Sequence, residues 1–76
     1  MESQAQIESF RLTLISLRKK KGWTQEQLSS ESNIHVTLIS RLENGRLTPS
    51  FSKLFQIASS FDMKVSDLFK LIEKRL

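Results

Sequence analysis

Residues 24–45 of this chain read TQEQLSSESNIHVTLISRLENG. Thr24 is followed three residues later by Gln27, which is the capping-box pattern that begins a helix. Trp23 precedes the cap and Leu28 lies at the fourth helical position, the spacing of a hydrophobic staple. The sequence therefore predicts a short helix that starts just after Thr24.

A tight turn and a second short helix are predicted next. Asn33 tolerates the left-handed backbone that a tight turn needs, and the next helix is predicted from about Val36 to Glu43, closed by Asn44 and Gly45. Its apolar side would be formed by Ile34, Ile39 and Leu42, and its outward side by His35, Val36, Thr37, Ser40 and Arg41. Two short helices joined by a tight turn, here over about 24–43, have the plan of a helix-turn-helix unit.

The remaining residues also carry helical spacing. Apolar residues recur on one face over 7–20, at Ile7, Phe10, Leu14 and Leu17. A fourth helix is predicted over 51–61 with Ser50 as its cap, and a fifth is predicted from a Ser66 cap to Arg75 or Leu76. No alternating strand pattern appears, so the predicted fold class is all-α, with about five short helices in one domain over 1–76.

Composition limits the classes of function. The chain has 76 residues, no cysteine and a single histidine, His35, so disulfides, thiolate metal sites and multi-histidine sites are excluded. No cofactor is expected. The first six residues lack a secretory signal and no apolar run approaches the ~20 residues of a membrane span, so a cytoplasmic protein without membrane contact is expected. A formal charge of +4 favours a polyanionic partner.

Residues 24–34 and 39–45 resemble the Cro/phage-repressor (XRE) helix-turn-helix family, and the resemblance extends over roughly 10–69. Pro49-Ser50 and the run VSDLF at 65–69 are similar to that family's later helices. The chain departs from the family pattern where Ser29 stands for the usual alanine, and where Asn33 and Asp62 stand for usual glycines. The resemblance implies a lambda-repressor-like fold and binding to double-stranded DNA.

The resemblance also implies individual roles. Val36, Thr37 and Arg41, with Ser40 nearby, would face base edges in the major groove. Phosphate contacts would come from Thr24, Gln25, Asn44, Arg46 and Lys53. Arg41 can grip a guanine through two hydrogen bonds, and Gln25 lies at a helix N-terminus, which favours an anion. Arg18 and Glu43 would form an ion pair between the first and third helices.

Two arguments predict that the chain forms a homodimer, one from the fifth helix and one from the DNA target. Leu68, Leu71 and Ile72 point to one side of this helix, whereas Phe69 and Leu76 point to a neighbouring side. One small domain cannot bury both sides, so Phe69 and Leu76 are predicted to form a homodimer interface. A two-fold dimer reads two half-sites ~34 Å apart, so the operator is expected to be roughly palindromic.

Three other classes of protein are alternatives to a DNA-binding regulator. An antitoxin-type module that binds a protein and also DNA is the principal alternative. An enzyme is disfavoured because the chain lacks a set of residues for acid–base or nucleophilic chemistry, and no small-molecule effector is expected because no residues remain for an effector domain. Within DNA-binding regulators the alternatives are a phage-type repressor and a restriction-modification controller protein, with the controller favoured. The operator, the sign of regulation and the target genes are left open.

Overall fold

The computed structural model describes residues 3–76 of the chain, and these residues form five α-helices and no strand. The helices are α1 (Gln4–Lys20), α2 (Gln25–Ser32), α3 (Val36–Glu43), α4 (Phe51–Ser60) and α5 (Val65–Lys74). The predicted all-α fold with about five helices is confirmed. The first two residues of the predicted domain 1–76 lie outside the described part.

Local sequence signals set most of these boundaries. Thr24 caps α2 in a full capping box, since its hydroxyl accepts from the Gln27 backbone N–H at 3.1 Å and Gln27 Oε1 accepts from the Thr24 N–H at 2.7 Å. Asn33 ends α2 in the left-handed conformation, with φ of 58°. Asp62 adopts the same conformation after α4, with φ of 55°. Both residues thus take the backbone that the usual glycine would supply.

Two predicted helix starts need correction. The first helix begins at Gln4 rather than near Ile7, because Ser3 and Gln6 form a second capping box one turn earlier. Ser66 is not the cap of α5, because Lys64 occupies the N-cap position, and its side chain makes no capping hydrogen bond. After the left-handed Asp62, the Lys64 carbonyl accepts from the N–H groups of Asp67 and Leu68, so Ser66 already lies inside the first turn of α5.

The core lies between all five helices. It consists of Phe10, Leu14, Leu28, Ile34, Ile39, Leu42, Ile57, Ala58, Phe61, Leu68 and Ile72. Trp23 packs at its edge and stacks on Phe61 with ring centroids 5.4 Å apart, which agrees with a core role for this residue. A buried hydrogen bond from the Ser9 hydroxyl to the Ile72 carbonyl ties α5 to α1. The second and third helices are therefore held on a scaffold made by α1, α4 and α5.

Candidate nucleic-acid interface

Helix α3 has an apolar face that is packed in the core and a polar face that is turned to solvent. Ile39 and Leu42 are fully buried, as predicted. Thr37 and Arg41 lie on the exposed side, and Val36 and Ser40 are half-buried beside them. The four predicted base-reading residues therefore lie on one side of α3, and Thr37 and Arg41 are open to solvent.

The start of α3 is fixed by an unusual cap. His35 occupies the N-cap position, and its Nδ1 accepts a hydrogen bond from the Thr37 backbone N–H at 3.1 Å. Asparagine, aspartate, serine and threonine are the common side chains at this position. The cap orients the first turn of α3, which carries Val36 and Thr37, and this role for His35 was not predicted from the sequence.

The N-terminus of α2 lies against the end of α3. Gln25 donates from Nε2 to Glu43 Oε1 at 3.0 Å, which joins the two helices. An amide nitrogen carries two donors, so one Gln25 donor is free for an anion. The Thr24 hydroxyl accepts the cap bond and keeps its own proton to donate. Together with the unpaired N–H groups of the first helical turn, these side chains offer donors to a phosphate.

Glu43 and Arg18 form the ion pair that the family resemblance implies. Arg18 Nε and Nη2 donate to the Glu43 carboxylate at 2.6 and 3.0 Å, and Nη1 donates to the Trp23 carbonyl at 2.8 Å. The Glu43 side chain is 5% exposed and that of Arg18 is 13% exposed. The hydrogen bond to Glu43 raises the pKa of the Arg18 guanidinium above its ordinary value, so Arg18 keeps its positive charge in the pair. The Gln25 bond makes this pair a three-residue network across α1, α2 and α3.

The connection between α3 and α4 carries further expected phosphate contacts. Asn44 is the C-cap of α3, and its Oδ1 accepts from the Arg46 N–H at 3.3 Å. Gly45 has φ of 77°, and a Cβ built there would meet the Arg11 side chain at 3.5 Å. Arg46 is exposed, and Lys53 is half-buried in the first turn of α4. Arg46 lies in the connection just after the end of α3, and Lys53 is in the turn that begins α4.

Arg11 supports this connection from α1. Its guanidinium donates to the Glu43 carbonyl at 3.4 Å and is held by Glu8, at 2.9 and 2.7 Å. The hydrogen bond from Arg11 lowers the pKa of Glu8 below its ordinary value. A cation at the carboxyl end of α3 is favoured by the helix dipole. Arg11 is thus a structural residue of the interface that sequence reasoning did not single out.

The exposed apolar residues extend beyond the two that were predicted. Phe69 and Leu76 are 42% and 62% exposed, but Phe51 and Phe55 on α4 are also exposed, at 78% and 52%. The rings of Phe51 and Phe55 meet edge to face with centroids 5.1 Å apart. The sequence signal for their exposure is that both residues fall outside the apolar stripe of this helix, which consists of the buried Ile57, Ala58 and Phe61 and the partly buried Leu54.

One family of known proteins matches most of this chain. A family model described as helix-turn-helix matches residues 14–68. The chain belongs to the helix-turn-helix family. This match includes all of α2, α3 and α4, the second part of α1 and the start of α5, and it agrees with the resemblance found in the sequence.

Relatives of this helix-turn-helix protein include named regulators. The competence pilus inhibition repressor of Acinetobacter baylyi is 44% identical over 57 residues, which is 75% of this chain and 52% of the repressor. An uncharacterized helix-turn-helix transcriptional regulator of Archaeoglobus fulgidus is 32% identical over 66 residues, which is 87% of this chain and 94% of that protein. The chain therefore spans about half the length of the Acinetobacter relative and nearly all of the Archaeoglobus one.

Solved structures give a fold likeness over almost the whole chain. The restriction-modification controller protein C.Esp1396I has a TM-score of 0.84 and 26% identity, covering 97% of this helix-turn-helix chain and 94% of the controller. The same controller as a tetramer on its natural 35-base-pair operator has a TM-score of 0.85. The regulator ClgR of Corynebacterium glutamicum has a TM-score of 0.80 and 26% identity, covering 91% and 73% of the two chains.

Other kinds of site find little support in the structure. Within residues 3–76, no group of three or more histidine, cysteine, aspartate or glutamate side chains is arranged to hold a metal ion. No helix in that range is both long and apolar enough to cross a membrane.

Proposed function

We propose that this chain is a sequence-specific regulator of transcription that binds double-stranded DNA as a homodimer, with α3 in the major groove. The observation that carries the proposal is the anchored α3. Its apolar side is fully buried by Ile39 and Leu42, whereas Thr37 and Arg41 project into solvent. The match to the helix-turn-helix family and the regulators among the relatives support the same function.

Two sets of residues divide the work in this proposal. Val36, Thr37, Ser40 and Arg41 read base edges, and a good bidentate contact from Arg41 to guanine contributes ~1–3 kcal/mol of discrimination. Thr24, Gln25, Asn44, Arg46 and Lys53 bind phosphates, which sets orientation and affinity without reading sequence. The phosphate set includes residues near the end of α3, because Gln25 at the start of α2 is hydrogen-bonded to Glu43, the last residue of α3, and Asn44 is its C-cap.

The experiment is selection of duplexes from a random pool, followed by binding assays at several salt concentrations. A dimer that neutralises ~6–10 phosphates loses ~10³–10⁵-fold in affinity between 50 and 200 mM salt. Selected sequences should be roughly palindromic. If the protein selects no duplex, or if its affinity is independent of salt, the proposed function is wrong.

Matched variants separate base reading from phosphate binding. Arg41→Ala should flatten the preference among selected duplexes, whereas Arg46→Ala should weaken all duplexes by a similar factor. Arg75→Ala is the control, because Arg75 is equally exposed, carries the same charge and lies beside Lys20 and Leu71, between α1 and α5. An unchanged sequence preference in Arg41→Ala would remove Arg41 from the base-reading set.

The likeness to C.Esp1396I over nearly the whole of both chains favours a controller-type role within this function. A phage-type repressor is the alternative class of regulator. Neighbouring genes would distinguish a controller from an antitoxin. An adjacent methyltransferase and endonuclease would support a controller, and an adjacent toxin would support an antitoxin.

The exposed aromatic residues favour a second candidate function. Phe51 and Phe55 add to the apolar surface that Phe69 and Leu76 expose, and an apolar patch not used in self-association marks a protein partner. An antitoxin-type module would use such a surface for its toxin. A wild-type protein that is monomeric at tens of micromolar and still binds DNA would favour this second function.

A further inference from the structure

A small depression of about 190 Å³ opens on the seam between α1 and α5. Helix α1 and helix α5 both contribute to its walls, and the lining residues are Thr13, Ser16, Leu17, Lys20, Leu71, Lys74 and Arg75. We call it the α1–α5 depression. None of the residues proposed to contact DNA lies among them.

The rim of the α1–α5 depression is cationic. Lys20, Lys74 and Arg75 are exposed, and no acidic side chain is among the residues that line the depression. Both ion pairs within residues 3–76 belong to other arginines, so the three rim cations have no carboxylate partner in that range. Three unpaired charges of one sign around one depression attract an anionic partner.

The floor of the α1–α5 depression is apolar. Leu17 and Leu71 line it and are half-buried, so part of each side chain stays accessible to a partner. The buried Thr13 hydroxyl already donates to the Ser9 carbonyl at 2.8 Å, so this donor is in use within α1. An apolar floor under a cationic rim is complementary to a partner that carries an apolar side chain between acidic ones.

The depression lies away from the end of α3. Arg11 and Arg18 of α1 both reach Glu43, the last residue of α3. Thr13 and Lys20 each follow one of these arginines by two residues, which is ~200° around a helix of about 3.6 residues per turn. The α1–α5 depression is therefore on the side of α1 opposite the one that contacts α3.

The depression is also separate from the predicted dimer contacts. Leu71, Lys74 and Arg75 share one side of α5 at the spacing i, i+3 and i+4. Phe69 and Leu76 line a different, apolar groove. A homodimer joined through Phe69 and Leu76 leaves the α1–α5 depression of each protomer open.

We propose that the α1–α5 depression is a docking site for an acidic, partly apolar segment of another protein. Carboxylates of the segment contact the rim cations, and an apolar side chain between them packs on Leu17 and Leu71. A nucleic-acid backbone satisfies the charge but brings no apolar side chain to the floor, whereas segments that alternate acidic and hydrophobic residues satisfy both. The site goes beyond the proposed function and does not depend on it, because its residues are on another side of the fold.

An NMR titration of the whole chain with synthetic peptides tests the site. The probe is a glutamate peptide with leucine at every fourth position, and the expected amide shifts are at Lys20, Leu71 and Lys74 but not at Thr37 and Arg41. A control peptide with serine in place of leucine should bind at least about tenfold more weakly, because it buries no apolar side chain. A second control with glutamine in place of glutamate should lose a similar factor, because it cannot pair with the rim.

Charge reversal provides matched variants. Lys74→Glu should weaken the glutamate–leucine peptide at least about fivefold, because an attraction becomes a repulsion. Lys64→Glu is the control, since it reverses one exposed charge at the other end of α5, beside Phe55 and outside the α1–α5 depression. Lys20→Glu, on α1, is the second variant if Lys74→Glu melts at a lower temperature than the wild type. The two α5 variants should bind a random duplex equally well.

Several outcomes would overturn the docking site. They are an absence of peptide shifts up to about 2 mM, which is weaker than a specific contact of this size should be, and equal peptide binding by Lys74→Glu and Lys64→Glu. Equal binding of the leucine and serine peptides would show a general anion patch without use of the floor. A random duplex that shifts the same amides, or that binds Lys74→Glu more weakly than Lys64→Glu, would make the depression a nucleic-acid surface instead. Failure to select any operator refutes the proposed function, whereas the peptide titration still decides the docking site.

Discussion

The network of Arg18, Glu43 and Gln25 yields the most quantitative prediction, on the free energy of unfolding. The perturbation is a double-mutant cycle with Arg18→Met, Glu43→Met and the double variant. Methionine fills similar space without charge and adapts to irregular packing. The cycle isolates the energy of the pair from the energy of each side chain.

The expected magnitudes follow from burial and hydrogen bonds. Arg18→Met leaves the Glu43 carboxylate, 5% exposed, with Gln25 as its remaining side-chain donor. Loss of one partner of a buried pair costs about 3–5 kcal/mol, a large part of the ~5–15 kcal/mol that holds a domain together. Glu43→Met should cost less, because Arg18 is 13% exposed and retains the Trp23 carbonyl.

The double variant should be more stable than the sum of the single losses predicts. A buried pair replaced by two apolar side chains loses little, because the desolvation cost of both charges disappears with their attraction. The coupling energy should therefore be at least about 3 kcal/mol, the upper end of the usual range for residues in contact.

Urea unfolding measures these differences. Trp23 is the single tryptophan of the chain and stacks on Phe61, so its fluorescence reports loss of the core. Far-ultraviolet circular dichroism should give the same midpoint, which checks that unfolding is two-state. Protein concentration must be equal for all variants, because dimerisation adds to apparent stability.

The ion pair between Glu8 and Arg11 is the control within the same protein. Its N–O distance of 2.7 Å is nearly that of the Arg18–Glu43 pair, 2.6 Å, but its side chains are 47% and 29% exposed. Screening by water should make its coupling much smaller. If the two cycles gave equal coupling, or if the Arg18–Glu43 cycle were additive, burial would not be the source of the network's contribution.

Four further predictions concern single residues. Thr24→Ala should lower the free energy of unfolding by ~1 kcal/mol through loss of the cap, and Thr24→Ser should restore most of it in urea melts. Asn33→Ala should cost ~1–2 kcal/mol because φ is 58°, while Asn33→Gly should be tolerated; equal melts would contradict the backbone argument. Leu28→Ala should cost about 2–5 kcal/mol by calorimetry, since Leu28 is fully buried in the core. Phe69→Glu should reduce self-association and operator affinity together; retained dimerisation would exclude Phe69 from the interface.

Short-range patterns allowed much of the fold to be predicted. Helix α3 was predicted over its observed range, and α2 and α4 within one residue at each end, because caps and apolar spacing act within a few positions of the chain. The left-handed Asn33 was predicted for the same reason. The predicted start of α1 was wrong because Ser3 and Gln6 form a capping box one turn earlier. The predicted cap of α5 was wrong because Lys64, shortly after the turn at Asp62, occupies the N-cap position.

The sequence by itself thus determined the five helices and the two-sided character of α3, since both depend on spacing along the chain. The tertiary structure decided which side chains from different helices contact one another. Only the docking of α2 against α3 brings Gln25 to Glu43, and only the packing of α4 in the fold leaves Phe51 and Phe55 in solvent. The reason is physical: a side chain's local spacing sets the helix face it occupies, whereas its exposure depends on which distant helix covers that face.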